Sequence, residues 1–275
     1  MPEIHTDLTT PALAFAVKTN LASFFRVLGL LPSSEFYTDA QMIRWHTRIK
    51  HPWFNGVLCA HAAPENPAAQ IQDAINFFAA RNVSVFTWWL APAVSAVSWE
   101  PQLFARGLRR NANTPGMAVD LRALNEGTAA PRELAIKPVE DAATLELFAQ
   151  IFLRGYGLPA EWLPDLFTLM RGFGFDLPTR SYLAYLDAQP VATATMFLAN
   201  GVAGIYNVAT LPDARGRGIG AAVTRAPLLD ARALGYRVGI LQSSSQGFPV
   251  YQRLGFQQVC VMDHYFWTNA EKYNG

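Results

Sequence analysis

The stretch Val208-Ala-Thr-Leu-Pro-Asp-Ala-Arg-Gly-Arg-Gly-Ile-Gly220 decides how the rest of the chain is read. A strand ends, a loop follows, and glycines open a helix. Gly216, Gly218 and Gly220 leave the backbone bare, so an anion can approach the N–H groups of residues 216 to 221 without meeting a Cβ. The first turn of a helix has unpaired donors and a positive partial charge, which suits a phosphate. Arg215 and Arg217 add full charges. A turn that only starts a helix does not need three glycines and two arginines. Gly216-x-Gly218-x-x-Ala221 formally fits the dinucleotide fingerprint, but that reading also needs an acidic residue about 20 positions on. Around position 236 the sequence is Gly-Tyr-Arg-Val-Gly, with no acid. A P-loop fails as well, because no Gly-Lys-Ser/Thr follows.

Working outward, Val202–Thr210 is the last strand of an antiparallel meander with Tyr182–Leu186 and Val191–Leu198. The pair Asn200-Gly201 predicts a two-residue hairpin, since both residues tolerate positive φ. A helix runs from the glycines to about Leu234 and stops at Gly235. Pro227 should bend it or start a fresh turn. Val238–Gln242 is a strand, Phe248–Leu254 a short helix closed by Gly255, and Val259–Trp267 the last strand. Upstream, Glu133–Lys137 is a strand. Thr144–Leu153 is an amphipathic helix with Leu145, Phe148, Ala149 and Phe152 on one face, and Pro159–Met170 is a second helix. The polar segment 122–132, with Gly127 and Pro131, reads as a linker. It divides the chain into domains 1–125 and 132–275. The first half repeats part of the order weakly: strand 55–60, helix 68–80, strand 83–90, short helix 101–106 and strand 116–121. Leu103-Phe-Ala-Arg-Gly107-Leu108 parallels Tyr251-Gln-Arg-Leu-Gly255-Phe256, each a short helix stopped by glycine before a strand. An internal duplication is the reading; two unrelated α/β units is the alternative.

Arg215-x-x-Gly218-x-Gly220 resembles the coenzyme A pyrophosphate loop of the GNAT N-acetyltransferase superfamily. The run Ser244-x-x-x-x-x-x-Tyr251-x-x-Leu-Gly-Phe256 resembles the same family, and the likeness covers about residues 132 to 268. It implies an α/β fold of the α+β type: two GNAT-like domains, each a mixed, mostly antiparallel sheet flanked by helices. It also implies an acetyl-CoA co-substrate and a small-molecule or peptide amine acceptor. Val208, Ala209 and Thr210 would pair with the pantetheine arm like an extra strand, and an N–H there would polarise the thioester oxygen. Arg215, Gly216, Arg217, Gly218, Ile219, Gly220 and Ala221 would hold the diphosphate. Tyr251 would protonate or hydrogen-bond the departing sulfur. Ser244 stands where the family usually has Asn, with shorter reach. The first half lacks both signatures: its loop is the glycine-free His61–Asn66, and Leu103 stands at the tyrosine position. It reads as a degenerate copy that shapes the acceptor cleft.

Composition limits the alternatives. The chain has 275 residues, 51% apolar and 12% aromatic, with 16% charged. At roughly 100–200 residues per domain, this allows one large domain or two ordinary ones, and it excludes a disordered chain. Twenty-two basic residues against 21 acidic give a net charge of +1, which argues against nucleic acid as a partner. Cys59 and Cys260 form no metal-ligand or redox spacing and read as buried strand residues. No spaced histidine pair suggests a metal. The N-terminus lacks a basic signal-peptide region, and Lys18, Asn20 and Arg26 interrupt the apolar stretch 12–31, so a membrane span is not expected. The expectation is a cytoplasmic monomer or homodimer.

Strand 202–210 carries no carboxylate or histidine, so no general base is assigned. Asp263 and His264 lie on the last strand, where a lone histidine is more often structural. Trp88-Trp89 reads as packing. Tyr156-Gly-Leu-Pro159 and Phe173-Gly-Phe175 lie where the family covers its acceptor. The competing functions are a non-catalytic acyl-CoA-binding protein and a nucleotide-dependent oxidoreductase. The latter is disfavoured by the missing acid and the antiparallel meander.

Overall fold

The computed structural model describes residues 3–39, 42–59, 67–91 and 96–269. In chain order the elements are α1 (Thr10–Leu30), β1 (Glu35–Thr38), β2 (Met42–His46), β3 (Gly56–Cys59), α2 (Pro67–Ala79), β4 (Val85–Leu90), α3 (Ala96–Ala105) and β5 (Arg109–Asp120). There follow β6 (Leu134–Pro138), α4 (Ala142–Tyr156), α5 (Leu163–Arg171), β7 (Thr179–Leu186), β8 (Gln189–Ala199) and β9 (Val202–Thr210). The last are α6 (Ile219–Ala233), β10 (Val238–Gln242), α7 (Phe248–Arg253) and β11 (Gln257–Thr268). The chain is a mixed α/β protein whose strand pairings are mostly antiparallel.

Two compact units divide it. One comprises Met1–Leu21 with Pro115–Cys260, the other Ala22–Thr114 with Val261–Gly275. Each takes segments from both parts of the sequence, whereas the sequence reading cut the chain once, at 122–132. The larger unit runs β6–β7–β8–β9–β10 and then residues 116–120 of β5. Among the pairings of this run β9–β10 is parallel and the others described are antiparallel. The meander follows from its turns. Asn200 and Gly201 have φ of 55° and 74°, the two positive values that a type I′ hairpin requires. Helix α4 begins with a capping box, in which the Asp141 carboxylate accepts from Thr144 N at 2.8 Å. It ends at Gly157, which is left-handed. Its buried face holds the expected Leu145, Phe148, Ala149 and Phe152. Helix α6 runs through Pro227 as one element, with Pro227 buried, so no fresh turn starts there.

The segment read as a linker is tied down along α6. The Arg225 guanidinium donates to the Thr128 hydroxyl at 2.7 Å, and Arg232 pairs with Glu126 at 2.8 Å. On α1, Asn20 is fully buried and donates to the Ala199 carbonyl at 3.0 Å. The Tyr206 hydroxyl donates back to Asn20 Oδ1 at 2.7 Å. The sequence reading missed this helix. By length and composition α1 is long and apolar enough to cross a membrane, and 44% of its most apolar window is buried inside the protein.

The smaller unit runs β1–β2–β3–β4 and then residues 263–268 of β11. Among its described residues β3–β4 is the parallel pair and the other pairings are antiparallel. Its core gathers Phe78, Phe86, Trp88, Trp99, Leu103 and Tyr265. Cys59 is buried and Cys260 half-buried, both as free thiols.

Candidate active site

The quoted stretch lies at a fork in the larger unit. Strands β9 and β10 pair at Ala203–Gly239, Gly204–Ile240 and Ile205–Leu241, and no further. From Tyr206 onward β9 has no strand partner on that side. On its other side the register to β8 shifts: Tyr206 faces Thr195, but Ala209 faces Thr193. Asn207 and Val208 therefore oppose the single residue Ala194, which is a β-bulge. Asn207 sits at φ 54°. Its carbonyl accepts from the Thr193 hydroxyl at 2.8 Å, and its side-chain amide donates to Thr195 Oγ1 at 3.2 Å.

The orientation of the free edge follows from the ladder. Leu211 N donates to Val191 O at 2.9 Å, so Leu211–Val191 is a hydrogen-bonded pair. Two residues back, Ala209–Thr193 is another, and the backbone groups of Val208 and Thr210 point away from β8 into the fork. Both of their carbonyls have donors. The Tyr156 hydroxyl bonds Val208 O at 2.7 Å, and Arg215 Nε bonds Thr210 O at 3.1 Å. Arg215 also donates to Gly155 O at the end of α4, at 2.7 Å. Gly155 lets the end of α4 pack close against β9, because a Cβ there would lie 2.8 Å from Ala209 Cβ. What the edge of β9 presents to the fork is the N–H of Val208 and of Thr210.

Above this edge α6 begins. Its first intrahelical bond is Ala222 N to Gly218 O, at 3.0 Å. The N–H groups of Ile219, Gly220 and Ala221 are the orphans every helix start leaves. The Ile219 and Ala221 side chains are buried. Gly218 has φ 78°, and a Cβ on it would strike the Ala129 carbonyl, so the fold itself demands glycine there. Gly220 differs. An added Cβ would meet only Thr210 Oγ1, at an ordinary 3.5 Å. The fold does not require bare backbone at 220. Arg217 is exposed, and no hydrogen bond or ion pair to another described residue holds its guanidinium, whereas Arg215 is spent on backbone carbonyls.

Tyr251 on α7 is 9% exposed and packs edge-on to Phe256. Burial pushes its phenol up to about 12, partly offset by the Thr224 hydroxyl beside it. The group is therefore protonated at neutral pH. Thr224 in turn bonds Gly220 O at 2.8 Å, which ties Tyr251 to the glycine-rich helix start. Tyr156 belongs to the same neighbourhood: its phenol is also raised, first by desolvation and then by the proximity of Tyr251. Ser244 is exposed, and its hydroxyl accepts from Gly247 N at 3.1 Å, which caps the turn into α7.

Other residues singled out from sequence belong to the smaller unit. In the smaller unit Asp263 pairs with Arg110 at 2.9 Å. His264 is 6% exposed, stacks on Trp89 and has its pKa lowered to about 4 by burial. Trp88 is a core residue, as expected. In the same unit β3 and β4 stay paired to their ends, from Gly56–Thr87 to Cys59–Leu90, and Ala91 N still bonds Cys59 O. Among the described residues no fork opens between them. Leu103 is fully buried. The loop His61–Asn66 lies outside the described residues. Among the described residues no group of three His, Cys, Asp or Glu is placed to hold a metal. Sequence reasoning missed Tyr156 as a backbone partner and Thr193 altogether. Asn207 did carry a signal: asparagine is a poor strand residue that tolerates positive φ, and it interrupts Val202–Thr210 at the bulge.

Comparison with known proteins bears on the fold. Residues 178–258 match the acetyltransferase (GNAT) domain family. No curated protein matches the chain. Among solved structures, a GCN5-related N-acetyltransferase from Kribbella flavida superposes with a TM-score of 0.70 at 20% identity, covering 94% of this chain and 96% of its own. A counterpart from Sphaerobacter thermophilus gives 0.62 at 15%, covering 83% and 80%. A tandem GNAT protein from the clavulanic acid biosynthesis pathway gives 0.59 at 13%, covering 98% and 97%. The fold is that of GNAT acetyltransferases.

Proposed function

We propose that the larger unit transfers an acetyl group from acetyl-CoA to a primary amine on a small molecule or peptide. The observation that carries this is the convergence of the donor edge Val208–Thr210, the open helix start 216–221 and the protonated Tyr251 in one unit. The helix start takes the diphosphate through its N–H groups, with the exposed Arg217 adding a full charge. Arg215 serves by fixing the end of α4 against β9. The N–H of Thr210 and of Val208 take carbonyl oxygens of the pantetheine arm and the thioester. Ala209 spaces these two donors, and Ser244 sets the turn that carries Tyr251. A neutral amine attacks the thioester carbon, and negative charge on the oxygen is held by the innermost N–H, that of Val208. The carbon–sulfur bond then breaks and the thiolate takes the Tyr251 proton. The nitrogen loses its proton to water, which restores Tyr251.

The smaller unit is in this reading a degenerate second copy. Over the described residues its β3–β4 pair stays joined, and Leu103 is buried where the sequence parallel would put the tyrosine. A second reading, a non-catalytic acyl-CoA-binding protein, is favoured by the absence of carboxylate or histidine on β9. Release of free thiol from acetyl-CoA over a panel of amines separates the two. Amine-dependent release supports transfer; saturable binding without release supports the carrier.

A further inference from the structure

The peptide between Asn207 and Val208 is held from behind. Its carbonyl accepts the hydroxyl proton of Thr193 at 2.8 Å, and Thr193 is fully buried on β8. In a trans peptide C=O and N–H point in opposite directions. The Thr193 bond therefore aims the Val208 N–H away from β8, into the fork. A hydrogen bond accepted by a peptide carbonyl also polarises that peptide and strengthens its N–H as a donor, by about 10–30% per bond. The ladder alone does not supply this bond. Asn207 is the extra residue of the bulge, and an unheld extra peptide is free to rotate. Strand β8 provides one hydroxyl to its carbonyl and a second, that of Thr195, to its side chain. Thr195 is itself within 3.1 Å of the Ser181 hydroxyl on β7, so the bulge is backed by a short chain of hydroxyls.

We propose that Thr193 is a positioning residue for thioester polarisation: through the Asn207 carbonyl it orients and strengthens the Val208 N–H that holds the developing oxyanion. Thr193 touches no substrate; it acts through one peptide. The proposal rests on the acetyl-CoA reading above and can fail without it.

The test reads the carbonyl of bound substrate and needs no acceptor. The full chain is titrated with acetyl-CoA labelled with carbon-13 at the acetyl carbonyl, and the thioester stretch is followed by difference infrared spectroscopy. In the wild-type chain the band should lie lower than for free acetyl-CoA. Thr193→Val, close in shape but without the hydroxyl, should move the band back toward the free position while the dissociation constant stays within about twofold. Thr193→Ser should keep the wild-type band. Should Thr193→Val fail to fold, Thr193→Ala removes the same hydroxyl and is read in the same way. A shift retained in the hydroxyl-free variant, or a wild-type band at the free position, overturns the role of Thr193 and leaves the acetyl-CoA reading standing. No saturable binding to the wild-type chain overturns that reading, and this proposal with it.

Discussion

At the scale of single residues, three side chains carry distinct expectations. Tyr251→Phe removes one hydroxyl and keeps the ring. Help given to a leaving thiolate is needed in the transition state, so kcat should fall about 10²-fold, or roughly 3 kcal/mol, with acetyl-CoA affinity unchanged. Steady-state thiol release with an accepted amine checks this; wild-type turnover would make the residue a packing aromatic. Gly220→Ala separates fold from ligand. The fold accommodates the methyl group, and alanine favours a helix over glycine by about 0.8–1.0 kcal/mol, so the melting temperature should hold or rise. Coenzyme affinity should fall in Gly220→Val, whose branched side chain crowds the diphosphate. Unchanged affinity in both Gly220→Val and Gly218→Val, read by calorimetric titration of the folded variants, would remove the diphosphate from this loop. His264 gives a pH dependence. Its folded pKa of about 4 lies below the ordinary value of about 6.5, so the unfolded chain binds more protons between them. The stability it contributes is complete above about 6.5 and is lost as pH falls toward 4, on the order of 2 kcal/mol by pH 5. Urea unfolding at pH 7 and pH 5 should show that drop, and His264→Gln should reduce it.

Secondary-structure elements were legible wherever turn chemistry was explicit. Asn200-Gly201, Gly235 and Gly255 all have the positive φ that their sequence positions suggested, and β10 spans Val238–Gln242 as read. Gly201 also shows where that legibility stopped. A Cβ there would meet Glu3 O and His5 N, because the N-terminal segment bonds across the turn, with His5 N donating to Gly201 O at 3.1 Å. Nothing local in the hairpin announces that partner. Gly201→Ala should therefore cost more than the positive-φ penalty alone, about 2 kcal/mol or more in chemical unfolding. Helix α1 was missed because Lys18, Asn20 and Arg26 break its apolar stripe. The structure gives Asn20 a reason, as the buried partner of Ala199 O and Tyr206. Arg215 was read as a phosphate ligand from its charge and spacing. In the folded chain its guanidinium lies on the carbonyls of Thr210 and Gly155. Side-chain partners far apart in sequence set these features, and local pattern carries no information about them.

For the whole molecule, the two units share a strand plan with one parallel pair each, yet differ at that pair. In the larger unit β9 and β10 separate after Ile205–Leu241; in the smaller, β3 and β4 remain joined through Cys59–Leu90. A parted pair leaves strand N–H groups for a ligand amide, and a joined pair spends them on itself. This contrast, with Leu103 against Tyr251, makes coenzyme stoichiometry the property that depends on the whole account at once. The decisive measurement is calorimetric titration of the full chain with acetyl-CoA. Saturable binding of about one acetyl-CoA per chain is expected, since β3 and β4 stay joined over the described residues. No binding, or two equivalent sites per chain, would contradict it.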